Sequence, residues 1–145
     1  MLTVEEYFGP WIDHADVTPE RRFNAEQLVA ACNKLEELMV EDGVEFPEHT
    51  RTASKLHWGD VSDISGETYG GFRPQSCPIG APNSSHKDGE GVDRFDPFER
   101  IDSWCMRNQD KLVMCGIHIE HPIATPGWSH WTTRAPRSGR TVFYP

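Results

Sequence analysis

Between Thr18 and Asp42 apolar residues recur at three- and four-residue steps. Leu28, Ala31, Cys32, Leu35, Leu38 and Met39 fall on one side of a 3.6-residue repeat. The spacing predicts a helix over 18–42. Thr18 suits its N-cap, Pro19 its first position, where a missing N–H costs nothing, and Gly43 its stop. Val44–Phe46 reads as a short strand. From Glu48 to Ser85 the chain is rich in Gly, Ser, Pro and polar residues and predicts few regular elements. A loop of that length in a compact domain is functional or disordered, and its aromatics and its place ahead of His86 favour function. Asp96, Pro97 and Glu99 then supply an N-cap, a first-turn proline and a capping-box acid. They predict a second helix that buries Ile101, Trp104 and Cys105. A short helix follows over Gln109–Met114, ending at Gly116. Ile117–Glu120, Trp128–Thr133 and Thr141–Phe143 read as strands between Pro/Gly turns. With no internal repeat, the order helix, mixed loop, helices, strands predicts an α+β fold with a small antiparallel sheet.

At 145 residues the chain suits one domain, and 37% apolar with 26% charged residues suits a water-exposed globular one. No apolar run approaches the ~20 residues that span a bilayer, so membrane insertion is not expected. A net charge of −9 excludes nucleic acid as the main partner, since phosphate contacts need a basic surface. The late arginines Arg134, Arg137 and Arg140 read as a solvated loop before an anion contact. Glu5 and Glu6 stand where a secretory signal carries positive charge, so no signal or transit peptide is expected. Cys32, Cys77, Cys105 and Cys115 form no C-x-x-C pair, and read as reduced, buried, apolar side chains.

The candidate chemistry lies in Ser84-Ser85-His86-Lys87-Asp88-Gly89-Glu90-Gly91-Val92-Asp93. A neutral imidazole and a carboxylate are both good zinc ligands, and a looped chain returns both to one point. Gly89 and Gly91 allow a tight turn and a close backbone approach. On spacing alone the pair still reads as a surface histidine and a turn aspartate.

The surrounding pattern shifts that balance. Ser84, His86, Gly89, Gly91 and Asp93 in Ser-x-His-x-x-Gly-x-(small)-x-Asp resemble the signature of the D-alanyl-D-alanine carboxypeptidase family of zinc peptidases. Upstream, Gly71-Phe72-Arg73-Pro74 resembles the family's Gly-Tyr/Trp-Arg-(Ser/Pro) element. Downstream, Gly127-Trp128-Ser129-His130 resembles the strand bearing its third ligand. The resemblance covers roughly residues 66–133 and extends to the ending of small phage and prophage members. It implies a hedgehog/D,D-peptidase-like fold, and zinc held by His86, Asp93 and His130 with a fourth position open to water. Zinc lowers that water's pKa toward ~7. It also implies Arg73 at the substrate carbonyl or its oxyanion, where a permanently charged fork of donors is suited.

A carboxylate must still move the proton from water to the leaving amine. Relatives place it three residues before the third ligand or two after, but Gly127 and Thr132 stand there. Glu120, in Ile117-His118-Ile119-Glu120-His121-Pro122, is the nearest alternative, if its strand lies beside His130. Asp88 and Glu90 are weaker candidates. His118 and His121 read as structural, as alternatives to His130, or as substrate contacts. Ser84 and Ser85 suit hydrogen bonds to the ligands, and Trp128 and Trp131 suit packing against the site. His14, His49 and His57 carry no supporting pattern.

The function this resemblance implies is hydrolysis of a bond involving a D-amino acid in the peptidoglycan stem peptide, by a carboxypeptidase or an endolysin-type endopeptidase. Its implied setting is the host cytoplasm before holin-dependent release, or a virion alongside other virion proteins. The empty positions 127 and 132 motivate an alternative, a virion head, tail or baseplate protein or wall-binding module with a degenerate peptidase fold. A purely structural zinc site fits least, since such sites favour four ligands and thiolates.

Overall fold

The computed structural model describes residues 1–46 and 69–145. Its longest element is the predicted helix, here α2 (Pro19–Glu41), which follows a short α1 (Val4–Phe8). Thr18 Oγ1 accepts from Arg21 N at 3.2 Å, and Asp42 and Gly43 end the helix, the glycine at φ 83°. Ala25, Leu28, Val29, Cys32, Leu35 and Met39 line the buried face, one turn apart along the helix. Glu36 is buried with them.

Two short helices follow, α3 (Arg100–Arg107) and α4 (Gln109–Cys115). The predicted capping box does not form, because Glu99 sits in the left-handed region at φ 55° as the residue before the helix and makes no side-chain cap bond. Asp96 still caps it, accepting from Ile101 N at 3.1 Å and Asp102 N at 2.9 Å. Ile101, Trp104 and Cys105 are buried as predicted, and all four cysteines are free and buried. No helix among the described residues is long and apolar enough to cross a membrane.

Four strands, β1 (Gly91–Phe95), β2 (His118–Glu120), β3 (Trp128–Thr132) and β4 (Val142–Phe143), form a sheet in the order β1-β3-β2-β4. β3 pairs antiparallel with β1 and β2, but β4 lies parallel to β2. The sheet is therefore mixed, not antiparallel throughout as predicted. Val44–Phe46 is not a strand; Phe46 instead packs edge-on against Trp131, with ring centroids 6.5 Å apart. Of the loop predicted over 48–85, residues 48–68, with His49 and His57, lie outside the described residues. Residues 70–84 run as turns, bends and extended chain.

Lateral partners in a sheet project to the same face, and alternate residues to opposite faces. Val92, Trp131, Ile119 and Val142 are one such row, and the first three are fully buried on the helix side. Arg94, beside Ser129, projects to that side too. It is fully buried between Trp131 and Phe46, at 4.8 and 5.1 Å from the ring centroids, and its Nη2 donates to Glu36 at 2.8 Å. Its Nε and Nη1 meet no hydrogen-bond partner among the described residues. The rings supply the remaining stabilisation through cation–π attraction. The opposite face carries the candidate site.

Candidate metal centre

Asp93 pairs with His130 across β1 and β3. β2 meets β3 with His118 opposite Thr132 and Ile119 opposite Trp131, so the next step of that register sets Glu120 opposite His130. Glu120 in turn pairs with Phe143. Asp93, His130, Glu120 and Phe143 thus form one row across all four strands, on the face away from the helices. All four line a cavity of about 470 Å³.

His86 reaches this row from a single 3₁₀ turn, Ser85–Asp88, whose cap Ser84 accepts from the His86 N–H at 3.3 Å. Gly89 ends the turn at φ 78°, where a Cβ would stand 2.5 Å from the Arg21 carbonyl oxygen of α2. A Cβ on Gly91 would meet Ser85 Oγ at 2.2 Å and His130 Cε1 at 3.2 Å. Both glycines of the signature are therefore required by close approach, the first also by its backbone angle.

The polar contacts converge on Asp93. Its Oδ1 lies 2.8 Å from His130 Nδ1 and 3.3 Å from His86 Nε2, and its Oδ2 accepts from Arg73 Nη2 at 3.1 Å. His86 Nδ1 sits 2.7 Å from the Gly71 carbonyl, which has no proton and must accept. His86 therefore carries its proton on Nδ1 and turns a lone pair on Nε2 toward the cluster, the usual bracing of a metal-ligating imidazole. Ser85 Oγ holds the far nitrogen of His130 at 3.3 Å. Burial and the Arg73 charge push His86 down to about 4, so it is neutral near pH 7. Burial works against ionisation of Asp93, but the two imidazoles outweigh it and hold the carboxyl well below its usual range. A neutral His86 and an ionised Asp93 are protonation states that suit a metal. His86, Asp93 and His130 each offer a ligand atom within 4.8 Å of the others, and no further such group of His, Cys, Asp or Glu occurs among the described residues.

Arg73 is buried, donates through Nε to the Tyr69 carbonyl at 2.7 Å, and lines the cavity. The Gly-Phe-Arg element is itself pinned, since Phe72 N donates to the Tyr7 carbonyl, Asp93 N to Gly70 and Arg73 N to His86. Tyr7, on α1, also donates its hydroxyl to the Gly91 carbonyl at 3.0 Å. Glu120 is half-buried; burial and the Asp93 charge raise its pKa above the ordinary value, against the pull of His130. Gly127 and Thr132 bring no acid. The Gly127 carbonyl accepts from Asp96 N, and Thr132 Oγ1 donates to the Glu90 carbonyl.

The other candidates separate. Asp88 and Glu90 are engaged by Arg134, whose Nη2 contacts Asp88 and whose Nε donates to Glu90 at 2.7 Å. Arg134 also donates to the Asn83 carbonyl, so this arginine ties a cavity wall and is not a loop residue free in water. His118 contacts the Arg140 carbonyl through Nδ1, His121 accepts from Ile123 N, and His14 accepts from Asp16 N. Trp128 lines the cavity, whereas Trp131 faces the helices and packs on Arg94. Phe143 and Arg134 were not among the predicted site residues, and only the strand register and loop contacts bring them there. Comparison with family models, with curated proteins and with solved structures finds no match to this chain.

Proposed function

We propose that this protein is a zinc-dependent peptidase of the D-alanyl-D-alanine carboxypeptidase type, with a hedgehog/D,D-peptidase-like fold. Its proposed substrate is a bond involving a D-amino acid in the peptidoglycan stem peptide. The observation that carries the reading is the row Asp93, His130, Glu120, with His86 and Arg73 joined to Asp93 beside one cavity. A His₂–carboxylate donor set fits zinc and leaves a position open, as catalytic rather than structural sites do. Zinc, when bound, supplies a Lewis acid for the scissile carbonyl and acidifies water.

The chain's own residues do the rest. Arg73 holds the second oxygen of Asp93 and offers its charge to the carbonyl oxygen as that oxygen becomes negative. Glu120 takes a proton from the attacking water and returns it to the amine nitrogen as the C–N bond breaks. Its raised pKa brings it closer to the operating pH, which favours both transfers. Trp128 and Phe143 limit water at that end of the cavity. A phage endolysin or a virion-associated wall-degrading enzyme is the setting proposed for this activity.

The absence of an acid at 127 and 132 favours a second reading, a virion structural or wall-binding protein that keeps the fold without the reaction. Release of amino groups from purified peptidoglycan separates the two. The zinc-loaded protein is expected to release them, and Glu120→Gln to lower the rate by ~10²–10⁴-fold with zinc retained. Full activity in Glu120→Gln would remove Glu120 from this role. Bound zinc with no activity on any wall peptide would support the second reading.

A further inference from the structure

The fourth member of the row has no part in holding metal or moving a proton. β4 is only two residues long, but it is firmly placed. Ile119 N donates to the Thr141 carbonyl at 2.9 Å and His121 N to the Phe143 carbonyl at 2.8 Å, one bond on either side of Glu120. The His121 ring stacks on Tyr144 at 4.7 Å and 12°. Phe143 therefore stands one strand spacing, roughly 5 Å, from Glu120 on the cavity face.

What surrounds Glu120 matters because of where the leaving group must lie. An acid that protonates the departing amine has to be within hydrogen-bond reach of it. The residue carrying that amine then lies beside Phe143, the cross-strand partner of Glu120, in a cavity that Trp128, Ala124 and Pro145 also line. The two arginines that line the cavity among the described residues are engaged elsewhere, Arg73 with Asp93, Tyr69 and, in the proposed reaction, the carbonyl oxygen, and Arg134 with Asp88, Glu90 and Asn83. Among the described residues, Phe143 and the apolar side chains of this cavity offer no partner to a charge on the side chain of the leaving residue.

Building on the peptidase reading, we infer that Phe143 is a specificity-determining residue, which selects an uncharged, apolar side chain on the residue whose amine leaves. The test uses two D-configured peptides identical except for the leaving residue, alanine in one and glutamate in the other. Their Kd values are measured by calorimetry on the full chain, zinc-loaded and carrying Glu120→Gln so that neither peptide turns over. Their kcat/KM values are measured on the zinc-loaded chain with Glu120 intact. The alanine peptide is expected to bind at least ~10-fold tighter, the scale of discrimination by an apolar pocket. Phe143→Ala should shrink the ratio to about threefold or less, while Phe143→Leu, which keeps an apolar branch, should preserve it.

Equal weakening of both peptides in Phe143→Ala overturns the inference, as does tighter binding of the glutamate peptide or measurable binding of neither. If Phe143→Ala does not fold, as judged by its circular-dichroism melt, Phe143→Arg takes its place. It should move the preference toward the glutamate peptide, and an unchanged ratio there also overturns the inference. Hydrolysis of neither peptide, with the Kd ratios as expected, would instead sink the peptidase reading and leave the selectivity of Phe143 standing.

Discussion

Arg94 and Asp93 are neighbours on β1, both buried, and they face opposite sides of the same sheet. On the helix side the Arg94 guanidinium is sealed between two aromatic rings and paired with Glu36. On the other side Asp93 is shared among two imidazoles and Arg73 and borders an open cleft. Burying a charge is costly on either face. The helix side offsets the cost with an internal partner and ring faces, which makes it a structural feature. The cleft side gathers three potential ligands around one acid and leaves room next to them, an arrangement suited to a cation.

The contrast breaks most sharply at Arg94. Arg94→Ala leaves buried Glu36 with only the Met1 ammonium, 3.7 Å from its Oε1, and is expected to cost about 3 kcal/mol of stability in urea unfolding. The double change Arg94→Met with Glu36→Leu should recover most of that, because a packed apolar pair replaces a buried ionic one at little cost. Zinc affinity of the folded double variant should stay close to that of the parent, since none of these atoms touches the cleft. On the cleft face the effects reverse. Arg73→Met removes the donor on Asp93 Oδ2 and is expected to weaken zinc by ~10–100-fold in competition with a chelator. Gly91→Ala, whose Cβ would collide with Ser85 Oγ, should weaken zinc by a similar or smaller factor by displacing Ser85 and His130.

A subtler difference lies in Asp102 on α3, buried on the helix side near the Ser129 and Thr125 hydroxyls, where burial lifts its pKa from 3.8 to about 7. Its folded value is raised, so the unfolded chain releases this proton first as pH rises. Stability from this group is present below pH 3.8 and lost as pH climbs to about 7. Asp102→Asn mimics the protonated form, so its gain in melting temperature over the parent should grow across that window. A gain independent of pH would exclude Asp102 as the titrating group. The smallest effect expected is at Thr18→Ala, about 1 kcal/mol from loss of the α2 cap, with no change in metal binding.

How far the sequence announced these features depends on whether they are local. α2 was legible from end to end because cap, proline and apolar spacing all lie within it. β1 was not, since Gly-Val-Asp-Arg-Phe has no clean alternation and becomes a strand only by pairing with β3. Asp96 was read as the N-cap; its carboxylate does accept the first-turn N–H groups, but the turn through Pro97–Glu99 delays the helix and makes Glu99 the capping position. The three ligand candidates and Arg73 were found through their motifs. Glu120 was named on the expectation that its strand lies beside His130, and the β2–β3 register provides that neighbour. The contact of Arg73 with Asp93, the three-way hold on Arg134 and the place of Phe143 depend on chain segments far apart in sequence. The strand at Thr141–Phe143 was legible, but no local pattern encodes its parallel pairing with β2.

Calorimetric titration of the metal-free protein with zinc decides whether the cleft-side cluster is a zinc site. One ion per chain is expected. Affinity should fall in His86→Ala, Asp93→Asn and His130→Ala by more than the ~10–100-fold typical of losing an outer hydrogen-bond partner. Absence of zinc uptake by the unaltered chain, or unchanged affinity in all three variants, would contradict a zinc site there.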